Sequence, residues 1–79
     1  MELALLLGKR IRSLRKAAGI SQERLALACG LDRGYMGRIE RGERNISVVT
    51  LDKIADALGC TASELLLDLR KGKQSEELL

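Results

Sequence analysis

Residues 21–41 read SQERLALACGLDRGYMGRIER, a stretch that holds the start and stop signals of two short helices. Ser21 is placed to cap a helix over Gln22–Cys29, because its hydroxyl can accept a hydrogen bond from a first-turn N–H group. The glycine that follows ends this helix, since glycine adopts the left-handed backbone conformation without strain. Asp32 can then cap a second helix over residues 33–41. The stretch therefore predicts two helices joined by a tight turn.

These two helices are eight and nine residues long, and only three residues separate them. A short helix, a glycine-containing turn and a second short helix form the geometry of a helix-turn-helix unit. Helices this short are marginally stable alone, so other segments must brace them.

Three further helices are predicted around this unit. Apolar residues recur at helical spacing over residues 3–18 and 47–58. Thr61 and Glu64 form a capping box that begins a last helix, which we expect to end near Leu69. The predicted fold is all-α, a compact five-helix bundle with a central helix-turn-helix.

The length and composition indicate one domain with a small core. The chain has 79 residues and contains neither Phe nor Trp, so Leu, Ile, Val, Ala and Met must form the core. We expect residues 1–70 to form the domain and the polar residues 71–79 to form a flexible tail. Because the core is thin, a second copy of the chain can help to bury apolar surface.

Several classes of function are disfavoured by the residues present. The chain has two cysteines, Cys29 and Cys60, and no histidine, which disfavours a Cys/His metal site and a Cys–His nucleophile. We expect both thiols to be buried and unpaired, with a disulfide as the alternative. No carboxylates are grouped for acid–base catalysis, so an enzyme, a cofactor or a metal is not expected. The apolar LALLL near the N-terminus is too short to span a membrane, and a cytoplasmic location is expected.

Positive charge is concentrated in the first half of the chain. Residues 1–44 contain ten Lys and Arg against five Asp and Glu, whereas residues 45–79 contain four against six. The local balances are therefore +5 and −2, in agreement with the net charge of +3. This asymmetry predicts a contact surface for a polyanion, and an ordinary solvated basic face is the alternative.

The second short helix has a polar outer side. If Met36 and Ile39 face the core, the outward positions are Arg33, Gly34, Gly37 and Arg38. Arginine can donate two hydrogen bonds to O6 and N7 of guanine in the major groove of DNA. Glycine costs helix stability but lets the backbone approach a groove floor closely. These four residues are the predicted base-reading positions.

A second group of residues is suited to phosphate contacts. Free N–H groups at the start of a helix bind phosphate, and planar donors beside the second short helix could clamp the DNA backbone. The predicted phosphate-binding residues are Gln22, Tyr35, Arg41, Arg44 and Asn45. The alternative for Tyr35 is a packing residue with a solvated hydroxyl, and for Arg41 and Arg44 it is a solvated surface residue.

Glu40 is an acid within this basic stretch. We predict that it pairs with Arg15 on the first helix and joins the two helices, and that it does not contact DNA. A partly buried pair of this kind is costly to break.

The stretch SQERLALACGLDRGYMGRIERGERNISVVTLDKIADALG, residues 21–59, resembles the helix-turn-helix domain of the Cro and phage-repressor type, the XRE family. The resemblance extends over about residues 8–69 and implies a lambda-repressor-like DNA-binding fold. Within that family, a standalone domain of this length with LDR-Y followed by IERGERNIS resembles the controller proteins of restriction–modification systems. Those proteins bind operator DNA as homodimers and time the expression of the endonuclease.

The resemblance also implies roles for particular positions. It assigns phosphate binding to Gln22, base reading to the four positions named above, and an inter-helix ion pair to Arg15 and Glu40. Family members commonly carry Ser, Thr or Gln at the two glycine positions. Because glycine has no side chain to contact a base, we expect DNA shape to contribute more of the specificity here. Family dimers associate through C-terminal helices, which places the interface at Leu66, Leu67 and Leu69. A further patch of Leu3, Leu5 and Leu6 is expected to pack against the same helix or against the partner. The alternative is that both patches complete the core of a small monomer.

The expected function is therefore sequence-specific regulation of transcription by a homodimer on a roughly palindromic operator. The expected partners are double-stranded DNA, a second copy of the chain and RNA polymerase. The alternative is an antitoxin-like or other protein-interaction module that retains the fold. A basic outer face without large apolar residues favours DNA, because protein-binding hot spots are rich in such residues.

Overall fold

The computed structural model describes residues 2–70, which form five α-helices and no strand. These helices are α1 (Glu2–Ala17), α2 (Gln22–Cys29), α3 (Arg33–Glu40), α4 (Val48–Leu58) and α5 (Ala62–Leu66). The all-α prediction is confirmed, and α2 and α3 form the central helix-turn-helix. The predicted tail at 71–79 lies outside the described residues.

Side-chain caps fix the starts of four helices. Ser21, Asp32, Ser47 and Thr61 each accept a hydrogen bond from the backbone N–H three residues later. At α5 the carboxylate of Glu64 also accepts from the N–H of Thr61 at 3.0 Å, which completes the capping box. These caps explain why the starts of α2 to α5 lie where the sequence predicts them.

All five helices contribute to one core. Its fully buried large side chains are Ile11 on α1, Leu25 on α2, Met36 and Ile39 on α3, Ile54 on α4 and Leu65 on α5. The helix-turn-helix is thus braced by α1, which packs against α3, and by α4, which packs against α2, while α5 packs against α4 and α1. A rigid scaffold of this kind holds α3 in a fixed orientation at the surface.

The first helix approaches α3 very closely at Gly8. A methyl group at Gly8 would lie 2.6 Å from the carbonyl oxygen of Glu40 and would also collide with that of Ile39. Only glycine permits this contact between α1 and the C-terminal end of α3. The position of α3 therefore depends on a residue far away in sequence.

Both thiols are unpaired, as the sequence predicts, but only one of them is buried as expected. Cys29 is buried and Cys60 is half-buried. Burial raises the pKa of the Cys29 thiol, and burial together with the nearby Glu64 raises the pKa of the Cys60 thiol. Neither thiol has the depressed pKa of a nucleophile.

None of the helices between residues 2 and 70 is both long and apolar enough to cross a membrane. Over the same residues, no cluster of three or more His, Cys, Asp and Glu side chains could hold a metal ion.

Candidate nucleic-acid interface

The outer face of α3 presents two arginines to solvent. Arg33 and Arg38 are exposed, while Met36 and Ile39 on the opposite side are 0% and 2% exposed. Nη1 of Arg33 lies 3.7 Å from the Glu23 carboxylate, and both side chains are largely exposed. A single long contact between exposed groups constrains a side chain little. Both arginines are therefore available to a ligand.

Gly34 lies in the open part of this face. A methyl group placed there would meet only the carboxylate of Asp32, at 3.0 Å. The backbone of the first turn of α3 is thus accessible to a surface that docks on it.

Gly37 does not lie open, which corrects its predicted placement on the outer face. It is buried, and an added methyl group would lie 3.1 Å from Nη1 of Arg41 and 3.4 Å from Oε1 of Gln22. A helical wheel places Gly37 outward, but these two long side chains lie across it. At this point the outer surface consists of Gln22 and Arg41.

A buried hydrogen-bond network connects α1, α2 and α3. Nε and Nη2 of Arg15 donate to the two carboxylate oxygens of Glu40 at 2.8 and 3.1 Å, and both residues are buried. Nη1 of Arg15 also donates to the carbonyl oxygen of Ile20 at 3.0 Å. The hydrogen bonds to Glu40 raise the pKa of the Arg15 guanidinium. This is the inter-helix pair predicted from the sequence.

The same network orients Gln22. Its Nε2 donates to Oε1 of Glu40 at 3.1 Å. An ionised carboxylate can only accept hydrogen bonds, so the amide nitrogen of Gln22 must face Glu40. The side chain predicted to bind phosphate is therefore held in one orientation at the start of α2, with its carbonyl oxygen over Gly37.

The C-terminal end of α3 carries an ion pair that was not anticipated from the sequence. Arg41 is the C-cap residue, and its Nε and Nη2 donate to the carboxylate of Glu43 at 2.8 and 3.4 Å. Arg41, and more weakly Arg38 and Arg44, lower the pKa of Glu43. Glu43 thus stays ionised among basic residues. Arg44 and Asn45 are exposed beside it.

Tyr35 is half-buried and packs against the core cluster. This location agrees with the packing alternative, and a phosphate contact by its hydroxyl stays a prediction.

The predicted dimer residues do not all lie on the surface. Leu66 and Leu67 are 44% and 61% exposed, but Leu69 is only 8% exposed. The helix ends at Leu66, three residues earlier than expected, and Asp68 adopts a left-handed φ of 55°. This reversal directs Leu69 into its own protomer. Leu69 is therefore a core residue, which corrects its assignment to the interface.

An apolar groove of about 200 Å³ lies beside Leu66. Its apolar lining residues are Leu3, Ala4, Leu7, Ile46, Val48, Leu51 and Leu66. Leu3 and Leu5 are more than two-fifths exposed and Leu6 is half-buried, so the N-terminal patch is only partly used by the core.

Arg10 fixes the end of α5, a role that the sequence did not reveal. Its Nη1 donates to the carbonyl oxygens of Glu64, Leu65 and Leu67 at 3.2, 3.4 and 2.8 Å. A cation that donates to the last carbonyl groups of a helix stabilises that end. The exposed leucines of α5 are thus positioned by α1.

Residues 11–65 match the sequence pattern of the helix-turn-helix family. The chain belongs to this family. Control protein C.MunI of a Mycoplasma species is 46% identical over 65 residues, which cover 81% of the chain and 88% of that protein. Control protein C.BamHI of Bacillus amyloliquefaciens is 43% identical over 65 residues, which cover 81% of the chain and 80% of that protein.

The crystal structure of the restriction-modification controller protein C.AhdI from Aeromonas hydrophila is also similar. It aligns with a TM-score of 0.77 at 50% identity, covering 78% of the chain and 94% of that protein. The resemblance to controller-type helix-turn-helix proteins stated from the sequence is confirmed. The chain is a member of a family of transcription regulators.

Proposed function

We propose that the chain is a transcription regulator that binds operator DNA as a homodimer and controls a restriction–modification system. The observation that carries the proposal is the division of α3 into two sides. One side supplies Met36 and Ile39 to the core, while the other presents Arg33 and Arg38 to solvent. A helix that is anchored on one side and basic on the other is suited to the major groove.

In this proposal, α3 enters the major groove and the two exposed arginines donate to guanine O6 and N7. Gly34 leaves the first turn of α3 without a side chain, which allows close approach to the bases. Gly37 contributes indirectly, because its missing side chain leaves room for Gln22 and Arg41. Shape and deformability of the operator then supply specificity at positions without a direct contact.

The phosphate contacts would lie on both sides of α3. Gln22 and the first-turn N–H groups of α2 face one strand, and Arg44 and Asn45, which follow α3, face the other. Arg41 lies beside Gln22 over Gly37 and is assigned a phosphate contact from there. Tyr35 is assigned a phosphate contact through its hydroxyl. The buried pair of Arg15 and Glu40 supports these contacts by fixing the orientation of Gln22.

The homodimer would form through Leu66 and Leu67, with Leu3 and Leu5 extending the apolar surface. Two-fold symmetry then places two α3 helices about 34 Å apart in successive major grooves, which requires a roughly palindromic operator. Regulation of transcription implies RNA polymerase as a further partner in the cytoplasm. The proposal assigns the chain no catalytic step and no cofactor. Similarity to several control proteins supports the restriction–modification role.

The DNA test begins with selection of bound sequences from a random duplex pool, followed by affinity measurements on the selected site. Arg38→Ala should weaken binding to that site by about 1–3 kcal/mol and relax base preference at one position. Arg44→Ala should weaken binding to all duplexes equally and reduce the salt dependence. If the two variants behave alike on selected and random DNA, the division into base readers and phosphate clamps is wrong. Failure to bind any duplex in a salt-sensitive way would favour the antitoxin-like alternative.

The dimer test compares two exposed sites. Replacing Leu66 and Leu67 with Gln should lower the sedimentation mass to that of a protomer and weaken operator binding. Leu27→Gln is the matched control, because this leucine is 80% exposed on α2 and lies outside the proposed interface. An unchanged mass for the Leu66 and Leu67 variant would place the interface elsewhere.

A further inference from the structure

Glu43 is an acidic residue in the middle of the proposed DNA-binding surface. Its carboxylate accepts hydrogen bonds from Arg41 at the end of α3. Arg38 and Arg44 are close enough to stabilise its negative charge electrostatically. A negative charge at this position opposes the approach of phosphates. The proposed function alone gives no reason for its presence.

The contact between Arg41 and Glu43 has a defined geometry. Two nitrogens of the guanidinium, Nε and Nη2, donate to the two carboxylate oxygens of Glu43. The remaining nitrogen, Nη1, lies over Gly37, 3.1 Å from the position of an added methyl group. The guanidinium is therefore held along one edge, by two nitrogens, and lies on the outer surface of α3 beside Gln22. Glu43 determines where Arg41 points.

The other basic residues of this surface are not held in this way. Arg33 has one 3.7 Å contact with Glu23, and Arg44 makes no ion pair with any residue between 2 and 70. Among the arginines of the surface, Arg41 is the one whose charge is matched by a two-point partner. The restraint is therefore specific to Arg41.

We infer that Glu43 is a positioning residue that holds Arg41 against α3 and thereby restrains binding to DNA of unrelated sequence. This inference rests on the proposed function. Binding to random DNA depends almost entirely on phosphate contacts that release counterions. An Arg41 whose charge is matched and whose side chain lies over α3 must first leave Glu43 before it can contact a random phosphate, which lowers the affinity for such DNA.

On the selected operator the same restraint costs little. There α3 docks in a fixed register, so Arg41 is already oriented beside the groove and loses less side-chain entropy on binding. Because both side chains of the pair are more than half exposed, the pair can also open where the operator offers a better partner. Glu43 therefore increases the difference in affinity between operator and random DNA.

The test uses Glu43→Gln in the full chain, with affinities measured on the selected operator and on a random duplex between 50 and 200 mM salt. Release of Arg41 adds about one phosphate contact, so the salt slope on random DNA should steepen by about 0.9. Over that fourfold range of salt, this corresponds to a change of roughly 3.5-fold in the ratio of variant to wild-type affinity. Random-duplex affinity should rise by about threefold at low salt, and operator affinity should change by less than about twofold.

Two further variants identify the cause. In an Arg41→Ala background, Glu43→Gln should no longer change the salt slope, because no side chain remains to be released. Asp56→Asn removes one negative charge from an exposed position near the C-terminal end of α4. It should leave the affinities for operator and for random DNA unchanged. Far-ultraviolet circular dichroism verifies that each variant is folded.

The inference is overturned if Glu43→Gln leaves the random-duplex slope unchanged, or if its effect persists in the Arg41→Ala background. Persistence would mean that the carboxylate simply repels phosphate. Absence of salt-sensitive DNA binding by the wild-type chain would instead defeat the proposed function itself. The two failures are therefore distinguishable.

Discussion

Removal of Glu40 should come close to unfolding the domain. The carboxylate is 6% exposed and accepts two hydrogen bonds from Arg15, which is itself 8% exposed. In Glu40→Ala, the Arg15 guanidinium keeps its bond to the Ile20 carbonyl oxygen but loses its counter-ion. Leaving one member of a buried pair without its partner costs about 3–5 kcal/mol. The total stability of a domain of this size is about 4–12 kcal/mol.

The measurement is urea unfolding followed by far-ultraviolet circular dichroism. Glu40→Ala should shift the midpoint strongly to lower urea without a change in slope. The control is the double variant Arg15→Met, Glu40→Leu, which replaces the pair with apolar side chains of similar volume. It should recover most of the loss, because apolar replacements of buried pairs are often neutral or stabilising. A loss below about 1 kcal/mol in the single variant, or a double variant as unstable as the single one, would refute the reasoning.

Three further changes test the packing and capping described above. Gly8→Ala should lower the unfolding free energy by about 1–3 kcal/mol, because the new methyl group collides with backbone atoms of α3. Gly34→Ala, whose methyl group would meet only the Asp32 carboxylate, should change it by less than about 1 kcal/mol. Equal urea midpoints for the two variants would contradict the close approach. Thr61→Ala should cost about 1 kcal/mol in thermal unfolding, and an unchanged transition would show that the capping box is not formed. A thiol reagent at neutral pH should label Cys60 before Cys29, because the pKa of both thiols is raised but Cys29 is buried whereas Cys60 is half-buried. Simultaneous labelling would contradict the burial of Cys29.

The helix ends that are set by neighbouring capping residues could be predicted from the sequence. Both bounds of α2 agree with the prediction, because Ser21 caps its start and Gly30 adopts a φ of 69° at its end. The end of α4 at Leu58 is fixed in the same way by Gly59. Residues within four positions of each helix end determine these boundaries. Helical periodicity and capping residues were therefore enough to predict them.

The end of α5 could not be predicted, because its causes are not local. The three carbonyl groups at its C-terminus accept from Arg10, more than fifty positions earlier in the chain. Apolar spacing continued to Leu69, but the helical periodicity on which that expectation relied ends at Leu66. The same break explains why Leu69 was assigned to the wrong surface.

The residue types of the site and the pair of Arg15 and Glu40 were predictable, but the other contacts of the site were not. The outward positions of Arg33 and Arg38 follow from helical periodicity once Met36 and Ile39 are assigned to the core. The covering of Gly37 depends on Gln22 from another helix, which a helical wheel does not represent. Gly8 did leave a signal, since an isolated glycine within a helical pattern indicates a close contact between helices.

The bonds from Arg10 have a consequence for the order in which the chain is synthesised. They join α1 to carbonyl groups 54 to 57 residues further along, so the first helix meets its final partner only after nearly the whole domain has emerged from the ribosome. Until then α1 and α4, which brace the helix-turn-helix, lack the helix that packs against both of them. A nascent or truncated chain that stops short of α5 should therefore bind an operator more weakly than a chain that includes this helix.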